Sequence, residues 1–256
     1  MKVFLTGASS GIGAALAAEF ARRGATLGLV ARRRAALDEI VGQSPGRHHV
    51  YAVDVTDKDA LIAAARAFDD ATGGADIVVA NAGISIGVLT EHYEDLDAFG
   101  DVLETNVLAM AYTFHPFIAP MRARGRGTLV GIGSVAGVRG LPGSEAYCAS
   151  KAAVASYCES LRVELKRSGV KVVTIVPGFV RTPLTAKNPY RMPFLMEPEQ
   201  FARRAVDAIL AGVSYRVIPW PMAIVAGLLR LMPNRLFDRA FGNRPYKPRR
   251  QPGAAD

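Results

Sequence analysis

Tyr147 and Lys151 stand four residues apart in the run Ser144, Glu145, Ala146, Tyr147, Cys148, Ala149, Ser150, Lys151. On a helix this spacing puts a phenol and an ammonium on one face. A nearby cation favours phenolate, which lowers the tyrosine pKa toward the range where it can give or take a proton. The pair is therefore expected to act as an acid toward a carbonyl oxygen. The same spacing also fits an interfacial tyrosine beside a solvated lysine. The amino-terminal segment decides between the two.

The chain opens on a short apolar run, Val3, Phe4, Leu5, that flows into Thr6, Gly7, Ala8, Ser9, Ser10, Gly11, Ile12, Gly13 and then a helical pattern. A strand, a glycine turn and a helix in that order form a dinucleotide site. The glycines allow a sharp turn and close approach to a pyrophosphate, and the N–H groups and positive dipole end of the helix face its charge. The spacing Gly-x-x-x-Gly-x-Gly departs from the commoner Gly-x-Gly-x-x-Gly.

From residue 1 to about residue 185 the chain resembles the short-chain dehydrogenase/reductase family, with the expected motifs in order. The resemblance makes Gly7, Ser9, Ser10, Gly11, Ile12 and Gly13 the cofactor turn, Asp54 and Val55 the adenine contact, and Asn81, Ala82 and Gly83 the turn closing the adenine side. Pro177, Gly178, Val180 and Thr182 match the nicotinamide end, and Asn106, Ser134, Tyr147 and Lys151 match a catalytic tetrad. Ala80 stands where many members carry a second asparagine. Ser134, ending the apolar stretch 127–133, is expected to hydrogen-bond the substrate carbonyl oxygen, and Tyr147 to protonate it as hydride arrives at carbon. Lys151 is expected to hold the nicotinamide ribose and tune Tyr147. Asn106, in the long helix after the fourth strand, is expected to support a water relaying protons to Lys151.

Cofactor choice is written after the second strand. A free ribose 2′-hydroxyl is normally held there by Asp or Glu, whose charge repels a 2′-phosphate. Here Ala31 is followed by Arg32, Arg33 and Arg34. Arg32 and Arg33 can pair with a phosphate through guanidinium donors, which predicts NADP(H); the alternative is that the arginines solvate a helix start.

The 256 residues, 50% hydrophobic, suffice for one large α/β core. Apolar strands alternate with helical stretches, which predicts a Rossmann-type, doubly wound parallel sheet with helices on both faces. Strands are expected near 2–6, 26–31, 49–53, 76–80, 127–133, 170–176 and 214–218, in the family order 3-2-1-4-5-6-7. A single domain is expected over 1–242, with a substrate lid at 179–213, an apolar helical segment at 219–241 and a basic, proline-rich tail at 243–256. Cys148 and Cys158, about 15 Å apart on one helix, cannot bridge and read as packing residues in a reducing compartment. No leader or membrane span is expected, so the protein is placed in the cytoplasm. The four histidines lack metal-site spacing.

The net charge of +8 is a carboxy-terminal property: residues 214–256 hold eight Lys/Arg against two Asp/Glu, net +6, which leaves +2 for the rest. The segment from Trp220 to Phe241 is too short to span a bilayer but suits an interfacial helix. Two readings stand: peripheral attachment to anionic lipid at the inner face of a membrane, or a lid or subunit-contact helix followed by a disordered tail. The arginines lack the interleaved aromatics of a nucleic-acid site, so no nucleic-acid partner is expected. Around the site, Phe179, Leu184, Tyr190, Met192, Pro193, Phe194, Leu195 and Met196 read as a lid over a nonpolar ligand or as core, and Arg139 is expected to face a carboxylate or solvent. The function expected is NADPH-dependent interconversion of an apolar ketone or aldehyde and its alcohol, Ser134 and Tyr147 meeting the substrate, in a homodimer or homotetramer implied by the resemblance. The alternative is a cofactor-binding protein whose output is an interaction.

Overall fold

The computed structural model describes residues 1–250. Seven strands form one parallel sheet: β1 (Lys2–Thr6), β2 (Thr26–Ala31), β3 (His49–Ala52), β4 (Ile77–Ala80), β5 (Gly127–Ile132), β6 (Val170–Pro177) and β7 (Tyr215–Ile218), in the order β3-β2-β1-β4-β5-β6-β7. Each strand agrees with the expected one to within a residue or two, because a strand covered on both faces must be apolar throughout. Alternate side chains then serve opposite cores. Val3 and Leu5 join Leu27, Leu29, Val130 and Ile132 on one face, while Phe4 joins Val30, Val78 and Leu129 on the other.

Helices α1 (Gly11–Arg22), α2 (Arg34–Gly42) and α8 (Pro198–Ala211) cover the first face. Helices α3 (Lys58–Thr72), α5 (Ala109–Arg124) and α6 (Glu145–Glu164) cover the second, and α4 (Asp95–Leu103) packs beside α6. Phe68 of α3 lies so close to β2 that a Cβ on Gly28 would stand 2.6 Å from its ring. A short α7 (Pro183–Ala186) follows β6, and α9 (Pro221–Leu231) and α10 (Asn234–Phe241) follow β7. No helix among the described residues is long and apolar enough to cross a membrane.

Four expectations change. The lid is shorter than 179–213: Phe201, Ala202, Ala205, Val206 and Ile209 put α8 into the core against α1, leaving 179–197 as the loop beside the site. The segment 219–241 is two helices, broken at Pro233, which has no N–H to continue a helix. Arg139, half-buried, meets no carboxylate among the described residues. It donates to the carbonyls of Leu229 and Met232 and to Asn234 Oδ1, with its guanidinium over the Phe237 ring, and so ties α9 and α10 to the loop after β5. The tail is not a free basic chain through residue 250, since Lys247 is buried and Arg249 and Arg250 pair with acids of the body. The remainder of that tail, 251–256, lies outside the described residues.

Candidate active site

A cleft of about 550 Å³ opens at the carboxyl ends of the strands, around β1 and β4, where the strand order reverses. The glycine turn forms its floor. Gly7 and Gly11 have φ of +67° and +55°, the left-handed region that favours glycine, and a Cβ on Gly13 would stand 2.0 Å from the Gly7 carbonyl oxygen. Ser10, at the N-cap of α1, makes no side-chain cap, and the first turn holds no acid. Its N–H groups are therefore free to face an anion. Asn81 staples this turn to the end of β4: its Nδ2 donates to the carbonyls of Thr6 (3.0 Å) and Gly7 (3.2 Å), and its N–H donates to Thr6 Oγ1.

At one end of the cleft the three arginines separate. Arg34 pairs with Asp38 on the outside of α2. Arg32 and Arg33 line the cleft, Arg33 donating to Ser9 Oγ at 3.2 Å and Arg32 standing 4.0 Å from Asp54. Asp54 is held by the N–H and hydroxyl of Thr56. No carboxylate follows β2 before Asp38. These groups suit a phosphorylated dinucleotide: a helix N-terminus for its pyrophosphate and two guanidinium groups for a terminal phosphate.

At the other end Ser134 leaves β5, accepts from Ala136 N–H to cap the short turn Val135–Gly137, and lines the cleft beside Tyr147. Lys151, one turn along α6, donates from Nζ to the Ile132 carbonyl at 2.9 Å and stands 5.8 Å from the Tyr147 ring centre. Spacing alone predicts a tyrosine made more acidic by this ammonium. The structure differs, because both groups are buried and the lysine turns toward β5. Burial pushes Tyr147 up to about 12, with Ser134 acting weakly the other way, and pushes Lys151 down to about 8.

Asn106 is the one expected site residue that does not line the cleft. It sits in a π-helical turn, Glu104–Leu108, between α4 and α5, and is 1% exposed. Its Oδ1 accepts from Ile84 N–H, and its Nδ2 donates to the Ile84 carbonyl and to Ser150 Oγ. The side chain thus clamps the wall behind Gly83, where a Cβ would meet Asn106 Oδ1 at 3.1 Å and Lys151 Nζ at 3.5 Å. These bonds hold the Asn106 side-chain amide in the wall beside Lys151.

The last wall follows β6. Pro177, Gly178, Val180 and Thr182 line the cleft; Thr182 and Thr185 form a reciprocal cap on α7, and the Thr182 methyl would lie 3.1 Å from a Cβ on Gly11. Gly7, Ser9, Ser10, Gly11, Ile12 and Gly13, with Asp54, Val55, Asn81, Ala82 and Gly83, line it as well. The sequence reading missed Asp101, Glu104, Thr105 and Arg250. Glu104 and Thr105 adjoin Asn106 and were within reach of the motif; nothing local marks Arg250.

Residues 1–192 match the family model described as short chain dehydrogenase. The chain is 39% identical over 239 residues to an uncharacterized oxidoreductase of Myxococcus xanthus, covering 92% of this chain and 94% of that one. It is 33% identical over 246 residues to epidermal retinol dehydrogenase 2 of Mus musculus, covering 90% and 78%. Among solved structures it is similar to a short-chain dehydrogenase of Sphingobium yanoikuyae in complex with NADPH, with a TM-score of 0.78, 28% identity, and coverage of 100% of this chain and 98% of that one. The family match runs without a break from the glycine turn through Tyr147 and Lys151 to the capping Thr182, and the chain belongs to the short-chain dehydrogenase family of oxidoreductases, acting on the CH–OH/C=O couple.

Proposed function

We propose that this protein is an NADPH-dependent reductase of an apolar ketone or aldehyde. The observation that carries the proposal is one cleft with Arg32 and Arg33 at one end and Ser134, Tyr147 and Lys151 together at the other. When bound, NADPH supplies the hydride. The chain supplies orientation and the proton. The hydroxyls of Ser134 and Tyr147 converge on the place a carbonyl oxygen must occupy, and a phenol held up to about 12 is neutral at working pH, so it begins the reaction as a hydrogen-bond donor and acid. Lys151, down to about 8, is the stronger acid of the two and can return a proton to Tyr147. A neutral phenol suits reduction, whereas oxidation of an alcohol needs the phenolate, which burial disfavours.

The choice of phosphate over free hydroxyl is supported by the arginines and by the NADPH complex of the Sphingobium relative. An apolar substrate is supported by Phe179 and Tyr190, in edge contact beside the site, and by the likeness to a retinol dehydrogenase. The engagement of Arg139 with α9 and α10 leaves that arginine no role in binding an acidic substrate. The test is NADPH consumption by wild type and Tyr147→Phe over carbonyls graded from short aldehydes to long acyl ketones. The expected result is turnover that rises with apolar size and falls by about 10²–10⁴ in the variant. Turnover indifferent to Tyr147 would overturn the proposal.

Peripheral lipid contact, where it occurs, is proposed to run through α9. Trp220, Ile224, Leu228 and Leu231 expose one apolar face of that helix, with Arg230, Arg235 and Arg239 nearby. Within residues 243–250, Arg249 and Arg250 already pair with Asp95 and Asp101, which favours α9 over that stretch. Leu228→Glu should lower binding to anionic vesicles; unchanged binding would count against this face.

A further inference from the structure

Residues 243–250 cross from one wall of the cleft to the other. Tyr246 lies on Gly143, just before α6, where a Cβ on the glycine would stand 2.7 Å from the tyrosine Cβ. Lys247 then turns inward and is only 7% exposed. Its Nζ donates to Ser85 Oγ at 2.8 Å, on the wall that follows β4, and to the Leu184 carbonyl at 3.3 Å, on the wall that follows β6. One amine therefore bridges the two sides, and Leu184 itself lines the cleft. The backbone passes so near Gly87 that a Cβ there would lie 2.1 Å from the Lys247 carbonyl oxygen, and Gly87 N–H donates to the Pro248 carbonyl at 3.0 Å. Beyond it, Arg249 pairs at 2.6 Å with Asp95, which is 1% exposed, and Arg250 pairs at 2.7 Å with Asp101. Both Arg250 and Asp101 line the cleft.

We propose that residues 243–250 form a strap over the dinucleotide cleft, which must lift for the cofactor to enter or leave and which closes preferentially over the bound cofactor. The proposal rests on the reading of the cleft as a dinucleotide site. Its fixings are polar: Lys247, the Gly87 bond and two arginine–carboxylate pairs, with no strap residue in the hydrophobic clusters of the described residues. A segment held by polar groups and not by core packing can open as a unit, and the more exposed of its ion pairs, Arg250 with Asp101, weakens with salt. Closure also has a reason to follow the ligand. Among the described residues no carboxylate lies within ion-pair distance of Lys247 Nζ, whose two partners are neutral oxygens. Burial, helped by Lys187, pushes this amine down to about 8. An anionic dinucleotide in the cleft beneath it improves the position of that cation, so the closed strap and the bound cofactor stabilise each other.

The test is stopped-flow NADPH fluorescence, giving association and dissociation rates for the full chain, a truncation after Gly242, Arg249→Gln and Lys247→Gln, at about 0.05 and 0.5 M salt. A gate slows both directions and preferential closure over the ligand slows exit more, so truncation is expected to raise association severalfold and dissociation by more than about tenfold, with Arg249→Gln between it and the full chain. Dissociation from the full chain should rise more steeply with salt than from the truncated one. Loss of a mere contact raises dissociation and leaves association alone, and that result overturns the gate. The two point variants decide the matter if the truncation fails to fold. Rates indifferent to every change overturn the strap while leaving the cofactor reading intact, whereas a full chain that binds neither NADPH nor NADH removes both.

Discussion

Lys151→Met should make the protein more stable while removing its activity. The Lys151 ammonium is 6% exposed and has one hydrogen bond, to the Ile132 carbonyl. Burial takes its pKa from 10.5 down to about 8, and at about 1.4 kcal/mol per pKa unit holding the cation there costs the fold about 3 kcal/mol. Methionine fills similar space without charge; leaving the Ile132 carbonyl without its partner costs about 1 kcal/mol. The expected net gain at pH 7 is about 2 kcal/mol, or about 4–8 °C in Tm for a chain of this size. The sign with pH follows from linkage. Below pH 8 the lysine is charged in both folded and unfolded chains, so wild type carries the full cost. Between about 8 and 10.5 the unfolded chain binds the extra proton, and wild-type stability rises with pH. The advantage of the variant therefore shrinks through that window and is gone above it. Lys247 titrates over the same range but is present in both proteins, so it cancels in the difference. Urea unfolding of the two proteins at pH 7 and at pH 10 checks this. A variant less stable than wild type at pH 7, or a difference that does not move with pH, would refute the view of Lys151 as a cation held against its own burial for function.

Three further substitutions separate roles that the geometry assigns. Arg32→Ala should raise the KM for NADPH by about 10- to 100-fold and leave that for NADH within about twofold, since only the former loses a charge-assisted bond; equal losses in steady-state kinetics contradict the phosphate role. Gly13→Ala puts a Cβ 2.0 Å from the Gly7 carbonyl oxygen, so thermal unfolding should report a loss of more than about 3 kcal/mol together with loss of dinucleotide binding; a stable variant that binds would show that the turn can relax. Asn106→Ala strands both backbone groups of Ile84, which should cost about 2 kcal/mol in denaturant unfolding; full stability with lost turnover would favour the proton-relay role.

The parts of the fold that were legible in the sequence are those where one local pattern has one physical solution. Strands buried on both faces read as unbroken apolar runs, and the glycine turn joins two of the surest local signals, so the sheet, its order and the floor of the cleft follow from them. The misread parts depend on partners far along the chain. Phe201, Ala202, Ala205, Val206 and Ile209 carry a helical apolar stripe, but only the packing of α8 on α1 makes that stripe core and ends the lid at 197. Arg249 is 154 residues from Asp95, and no spacing rule links them. The tyrosine pKa was misjudged for a different reason: spacing places an ammonium near a phenol, yet it says nothing about burial, which outweighs the neighbour.

The partners of the arginines show how the excess of positive charge is divided. Arg22 and Arg23 hold the buried Glu19, whose carboxyl is brought down to about 2. Arg34, Arg181, Arg249 and Arg250 each have a carboxylate of the body within 3.5 Å. Their role is to fasten helices, the loop beside the site and the strap. Among the described residues Arg32 stands 4.0 Å from its nearest acid and Arg33 donates to Ser9 alone. Both flank the turn whose helix end already favours an anion. Net charge on its own suggested anionic lipid. Sorted by partner, the same charge leaves two guanidinium groups loosely held at one end of a cleft whose other end holds a neutral phenol and a buried lysine. This polarity, positive at one end and proton-donating at the other, supports the proposed NADPH-dependent reduction.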